Sequence, residues 1–242
     1  MRNVGWLGVI RHGESTGNVA VERAQADLAE TIDIDERDAD VPLSSTGESQ
    51  ARALREWIVS SSTIPPDAVV VSPFRRARQT ADLALEGLDL TPTVDERLRD
   101  RDFGVLDLLT KTGIEARMPE ESRRRARHGK FYYRPPGGES WADVLLRLRS
   151  LLRDIDEDHA EKRVLLFAHD ATVSMIRYLL EGMDEQTLLE SAREAPIANC
   201  SISSWRREGR TWVPELFNDV SHIEQADAAE PTAEEDVDAQ IK

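Results

Sequence analysis

The chain has 242 residues, 40% hydrophobic and 32% charged, with a formal net charge of −15. That length suits one α/β domain with a sizeable core, and so acidic a balance excludes nucleic acid as a general partner, because phosphate backbones are bound by basic faces. The single cysteine, Cys200, excludes an internal disulfide, and no apolar run approaches the roughly 18 residues of a membrane-crossing helix. The first apolar run is too short for a signal peptide and leads into charged residues, so a cytoplasmic setting is expected.

Trp6-Leu7-Gly8-Val9-Ile10 reads as a short buried strand. Arg11-His12-Gly13 follows without a spacer, which places a guanidinium and an imidazole at the strand's carboxyl edge, where open α/β sheets bind ligands. This pairing suits phosphoryl transfer. Arginine forks a phosphate bidentately, a neutral histidine can attack phosphorus, and Gly13 and Gly17 would let backbone N–H groups approach the anion. Taken alone, the stretch reads more readily as a strand end and turn with a histidine satisfied by a carbonyl, and the rest of the chain is what raises the functional reading.

Asn18 to Glu30 is expected as a helix, and the acidic residues 31–40 as an exposed loop. A second helix starts near Ser44 or Ser45, with Glu48 completing a capping box on Ser45. Residues 60–66 form a loop ended by Pro65-Pro66. Asp67 to Ser72 is a second strand, and Pro73 to Ala81 opens a helix that carries Arg75, Arg76 and Arg78. A helix N-terminus at a strand's end is a natural anion site, although one or two of these arginines at most can face inward. Thr93 to Leu98 suggests a short strand. It leads to Arg99-Asp100-Arg101-Asp102-Phe103-Gly104, whose carboxyl groups are candidates for a general acid or for a salt-bridged loop.

Residues 107–134 read as an insertion of one or two helices, rich in arginine. These cations either face a substrate or pair with Glu115, Glu120 and Glu121 on a solvated face. After a Pro-Pro-Gly-Gly loop containing Glu139, Trp141 to Asp154 is amphipathic. Arg163 to Ala168 is a third strong strand, and His169-Asp170 stands at its end. Ile197 to Ser203 and Thr211 to Leu216 suggest two more strands. From Ile223 onward seven acidic residues face a single Lys242, so residues 221–242 are expected as a flexible acidic tail after a single domain over 1–220.

Two strand-end histidines and a strand-end arginine cluster are hard to obtain by chance. Six stretches occur in order: Arg11-His12-Gly13-Glu14-Ser15 with Asn18; Pro42-Leu43-Ser44 with Gly47; Ser72-Pro73-Phe74-Arg75-Arg76; Leu98-Arg99-Asp100 with Phe103-Gly104; Gly137-Gly138-Glu139-Ser140; and His169. On these the chain resembles the histidine phosphatase superfamily, the phosphoglycerate mutase-like family, over about residues 6–205.

The resemblance implies a three-layer α/β/α sandwich with a mostly parallel central sheet, the 107–134 insertion lying over its carboxyl edge as a flap. It implies that His12 becomes phosphohistidine, that Arg11, Arg76 and His169 hold the phosphoryl oxygens, and that Ser15 and Asn18 stand at the rim. Asp100 falls at the general acid's position. Asp170 is a rival proton donor, with a helix N-cap as its plainer role. Glu14 and Glu139 are lesser candidates for the pocket wall or for loop anchoring. No metal or other cofactor is implied. The expected partner is a small phosphomonoester, with a homodimer left open. Phosphomonoester hydrolysis is favoured over a mutase and over a low-turnover phospho-ligand binding module.

Overall fold

A computed structural model describes residues 4–60, 66–226 and 230–233. The six strands are β1 (Trp6–Arg11), β2 (Ala68–Val71), β3 (Thr93–Val94), β4 (Arg163–Ala168), β5 (Ile202–Glu208) and β6 (Thr211–Asp219). They form one sheet in the order β3-β2-β4-β1-β5-β6. The first four are mutually parallel, and β5 and β6 run antiparallel at one edge. The sheet is thus mostly parallel. The predicted loop over 60–66 lies largely outside the described residues.

The nine helices of the described residues are α1 (Thr16–Ala26), α2 (Ser45–Ser60), α3 (Arg75–Ala84), α4 (Lys111–Arg117), α5 (Pro119–His128), α6 (Trp141–Asp158), α7 (Asp170–Glu181), α8 (Glu185–Glu194) and α9 (Ser221–Gln225). Because strand side chains alternate between faces, Leu7, Val9, Val164 and Leu166 pack with Val144, Leu148, Val173 and Ile176 of α6 and α7. Ile10, Val69, Val71, Leu165 and Phe167 pack with Leu54 and Ile58 of α2 and Ala77 and Ala81 of α3. The result is the three-layer sandwich, with both faces of the inner strands β1, β2 and β4 covered.

Some local expectations shift. Helix α1 starts at Thr16, because Ser15 and Asn18 form a reciprocal capping box, and it ends at Ala26. Helix α2 is capped one residue earlier than the Ser45–Glu48 pattern suggests. Ser44 Oγ accepts the Gly47 N–H at 3.0 Å while donating to Glu14 Oε1 at 2.6 Å, and Glu48 turns to Arg52 instead. The fifth strand begins at Ile202 rather than Ile197. Cys200 has φ 55, and the chain turns there before it can pair. The chain past 220 continues as α9, which buries His222 and Ile223. Farther on, Gln50 Nε2 donates to Glu230 O at 2.9 Å and to Thr232 Oγ1 at 3.0 Å. The predicted tail beyond 233 lies outside the described residues.

The sheet register brings the chemistry together. His12 N donates to Ala168 O at 3.0 Å, Ser72 N to Phe167 O at 3.0 Å, and Asp95 N to Val71 O at 3.0 Å. The carboxyl ends of β1, β4, β2 and β3 therefore stand abreast, and the residues that follow them share one edge.

Candidate active site

His12 follows β1 and is 2% exposed. Its Nδ1 lies 2.7 Å from Gly13 O. A carbonyl can only accept, so Nδ1 carries the proton and Nε2 keeps its lone pair. Arg76 Nε donates to that Nε2 at 3.2 Å. Arg76 stands in the first turn of α3 with its side chain 6% exposed. Its other nitrogens reach Asp38 Oδ1 at 2.8 Å, Asp38 O at 2.6 Å and Asp100 Oδ2 at 2.9 Å. Of the three neighbouring arginines only this one points inward, while Arg75 and Arg78 are exposed.

His169, fully buried after β4, lies with Nδ1 3.3 Å from Asp100 Oδ2 and Nε2 2.8 Å from Ser72 Oγ. The two imidazole centroids are 5.2 Å apart. Arg11 donates through Nη1 to Ile197 O. Burial, then the Arg76, His169 and Arg11 charges, push His12 well below its usual pKa, so it is a neutral imidazole near pH 7. Burial likewise lowers His169 against the pull of Asp100. Burial opposes charge on Asp100 too, yet His169 and then Arg76 hold its carboxyl well below the usual range. The floor of the site therefore holds a neutral imidazole beside the Arg11 and Arg76 guanidiniums, with an ionised carboxylate next to them.

Sequence comparison fits this geometry. The profile of the histidine phosphatase superfamily (branch 1) matches residues 7–220. The chain belongs to that superfamily. Among relatives, a probable phosphoglycerate mutase, GpmB of Klebsiella pneumoniae (strain 342), is 30% identical over 89% of this chain and 94% of its own length. An uncharacterized phosphatase, PhoE of Bacillus subtilis (strain 168), is 27% identical over 89% of this chain and 95% of its own. A mycobacterial glucosyl-3-phosphoglycerate phosphatase structure, solved with VO3, is 26% identical with a TM-score of 0.71, covering 89% of this chain and 99% of that one.

Above the floor of this histidine phosphatase site opens a cavity of about 210 Å³. Arg11, His12, Arg76, Asp100, Ser15, Asn18 and Asp170 line it. His169 stands behind this lining and reaches it through Asp100 and the His12 ring. Ser15 and Asn18 face the cavity while capping α1. The N-cap of α7 is His169, and Asp170 is the first helical residue, 3.4 Å from Ser174 Oγ. Two expected substrate contacts are not in the lining. Glu14 clamps Ser44 at the start of α2. Glu139 holds Arg99 and Arg147, and Arg147 reaches the backbone carbonyls of Arg97 and Asp100 at 2.5 and 3.2 Å. Both carboxylates anchor loops. Gly13 also has a different use. A Cβ there would lie 2.6 Å from Gly47 O, so its lack of a side chain lets the start of α2 approach, and its N–H donates to Thr80 Oγ1.

The insertion forms α4 and α5, but its cations do not face the cavity. Arg117 pairs with Glu30, Arg123 with Glu120, Arg124 with Glu121, and Arg134 with Asp143. What the sequence reading missed is Asp38, which lies in the supposed exposed loop and fixes Arg76. Asn199 was missed as well; its Nδ2 donates to His12 O at 3.2 Å and its N–H to Thr232 O at 2.8 Å. Ligand atoms of His12, Asp100 and His169 also lie within 4.8 Å of one another, a set that could hold a metal ion, and spacing along the chain offers no sign of it. The Arg76 guanidinium contacts two of the three, so a divalent cation there would meet a fixed positive charge.

Proposed function

We propose that this protein is a phosphomonoester hydrolase acting through a phosphohistidine on His12 on a small phosphorylated metabolite, with no step that requires a metal ion. The observation that carries the reading is the tautomer and setting of His12: proton on Nδ1, lone pair on Nε2, and a guanidinium directed at that nitrogen. A phosphoryl group entering there takes Arg76 as its partner, and Arg11 and His169 flank it. Negative charge spread over the three transferring oxygens meets preset cations, which lowers the barrier.

In the first step Nε2 forms a bond to phosphorus and the bond from phosphorus to the alcohol oxygen breaks. Asp100, ionised before substrate enters, takes a proton from the entering phosphate monoanion and gives it to the leaving oxygen. In the second step the Asp100 carboxylate takes a proton from water as that oxygen attacks phosphorus. The P–N bond breaks, phosphate leaves and His12 is neutral again. Asp100 suits this role better than Asp170, because it contacts both His169 and Arg76.

Mutase activity is the second reading, favoured by relatives named as phosphoglycerate mutases. Against it, the cavity above the floor carries Glu36 and Asp107, which would repel the carboxylate of a phosphoglycerate. The deciding experiment is steady-state phosphate release in chelator, from p-nitrophenyl phosphate and an alkyl phosphate, for wild type, Asp100→Asn and Asp170→Asn. Release by wild type with loss in Asp100→Asn supports the reading. Isomerisation of phosphoglycerate with no phosphate release supports the mutase. Absence of turnover on any ester supports a binding module.

A further inference from the structure

The cavity has two unlike halves. Its floor holds the arginines and His12, and its upper part is walled by Ile32, Ile34, Phe103, Leu106, Leu108 and Ile114. All but Ile114, which belongs to α4, come from two segments stapled to each other by main-chain bonds: Ile32 N to Leu108 O at 2.9 Å and Thr110 N to Glu30 O at 3.2 Å. Thr110 Oγ1 adds a bond to Ala29 O at 2.5 Å. The upper part is therefore a preformed chamber.

Its charges are of one sign, save one. Glu36 and Asp107 stand along it, Asp38 below them is taken up by Arg76, and Arg101 is the single cation above the floor among the described lining residues. Arg101 is turned aside: its Nε donates to Glu139 O at 2.8 Å and its guanidinium lies 4.9 Å from the Phe103 ring centroid. Asp107 has no such partner cation among the ion pairs of the described residues. At the mouth Leu108 sits at φ 58, a conformation L side chains rarely adopt, with 37% of its surface exposed. Leu108 thus presents hydrocarbon to water beside the chamber, where an apolar group of a ligand would cover it.

We propose that this chamber selects phosphomonoesters of apolar alcohols that carry no second anionic group, with Leu108 as a selecting side chain and Asp107 as the group that turns anions away. The proposal rests on the hydrolase reading and names its substrate class. Sugar bisphosphates and phosphoglycerates place a further anion where the acids stand, and the hydroxyls of these and of nucleoside monophosphates would lie against hydrocarbon without hydrogen-bond partners.

The test compares hexyl phosphate, glycerol 3-phosphate and 3-phosphoglycerate as substrates of wild type, Leu108→Asn and Asp107→Asn. Hexanol is the poorest leaving alcohol of the three, so a preference for its ester must come from binding. Expected is a kcat/KM for hexyl phosphate about tenfold or more above that for glycerol 3-phosphate, and higher again over 3-phosphoglycerate. Leu108→Asn, which the left-handed backbone tolerates, should erase about tenfold of that preference. Asp107→Asn should raise relative turnover of 3-phosphoglycerate several-fold. Turnover of 3-phosphoglycerate that equals or exceeds that of hexyl phosphate, or a preference for hexyl phosphate left undiminished in Leu108→Asn, overturns the proposal. If no ester is hydrolysed, the hydrolase reading fails by itself. Calorimetric binding of the same three esters then decides: tighter hexyl phosphate upholds the chamber, and equal or tighter 3-phosphoglycerate overturns it.

Discussion

The floor of the site and the chamber above it are built by opposite means. The floor takes its groups from the ends of neighbouring parallel strands and the first turn of α3. Each side chain there is held by its neighbours: His12 by Gly13 O and Arg76, His169 by Ser72 and Asp100, Arg76 by Asp38 and Asp100. The chamber takes its walls largely from loops and the short α4, and those walls are hydrocarbon with acids at the rim. Rigid elements hold groups to the tolerance that chemistry needs, and loops can vary the leaving-group site without disturbing it. On this division, changes to the floor should alter every substrate's rate, and changes to the chamber should alter the ranking of substrates.

The largest effect should come from His12→Asn. Removing the nucleophile should lower kcat by about four orders of magnitude for all esters alike, checked by phosphate release, with thermal unfolding used to verify the fold. Next is Asp100→Asn. With an alkyl ester the loss should be about 10²- to 10³-fold, and much smaller with p-nitrophenyl phosphate, whose alcohol leaves without a proton. An equal loss on both esters would mean that Asp100 acts by holding Arg76 rather than by giving a proton.

The pH profile sharpens the same contrast. His12 lies well below 6.5 because of burial and the neighbouring cations, so it remains a nucleophile as pH falls through that value. Asp100 is ionised in the free enzyme, and falling pH increases its protonated share. From about pH 8 to about pH 5, kcat/KM should therefore rise, with no acid limb near the usual histidine pKa. A bell centred on that pKa would show that His12 titrates normally.

A smaller effect concerns stability away from the cavity. His222 of α9 is buried beside Trp57, and burial pushes its pKa from 6.5 down to about 4. With the folded-state value lowered, the unfolded chain takes up the proton first. The contribution is complete above the unfolded value and is lost as pH falls from 6.5 toward 4, by roughly 3 kcal/mol at most. Melting temperature should drop less over that range in His222→Leu than in wild type, and parallel curves would show that other groups govern acid stability.

The floor was legible in the sequence because its parts are local. A strand ending in Arg11-His12, another in His169, and a strand-to-helix turn carrying Arg76 each announce themselves within a few residues. Asp38 was hidden because its neighbours are acidic and without period, so only the tertiary fold reveals that one of those carboxylates meets Arg76. Ser44 and Ser45 both read as caps of α2, and what decides for Ser44 could not be read, since Glu14, which accepts its hydroxyl hydrogen bond, is thirty residues away. The cationic reading of the insertion failed for a related reason. Glu30 and Asp143 lie outside it in sequence, and in space they join Glu120 and Glu121 in pairing with Arg117, Arg123, Arg124 and Arg134. The apolar chamber was invisible because Ile32, Ile34 and Leu108 follow no helical or strand period, and only the closure of two loops on each other brings them together.

The central claim is that His12 carries the phosphoryl group. Asp100→Asn should slow removal of that group, so a brief reaction of this variant with p-nitrophenyl phosphate, quenched in alkali to preserve phosphohistidine, should trap it. Mass spectrometry of the peptide containing His12 is expected to show one added phosphoryl group on that imidazole, absent when the substrate is left out. A nitrophenol burst with no phosphoryl group on His12, or with the group on another residue, would contradict the account.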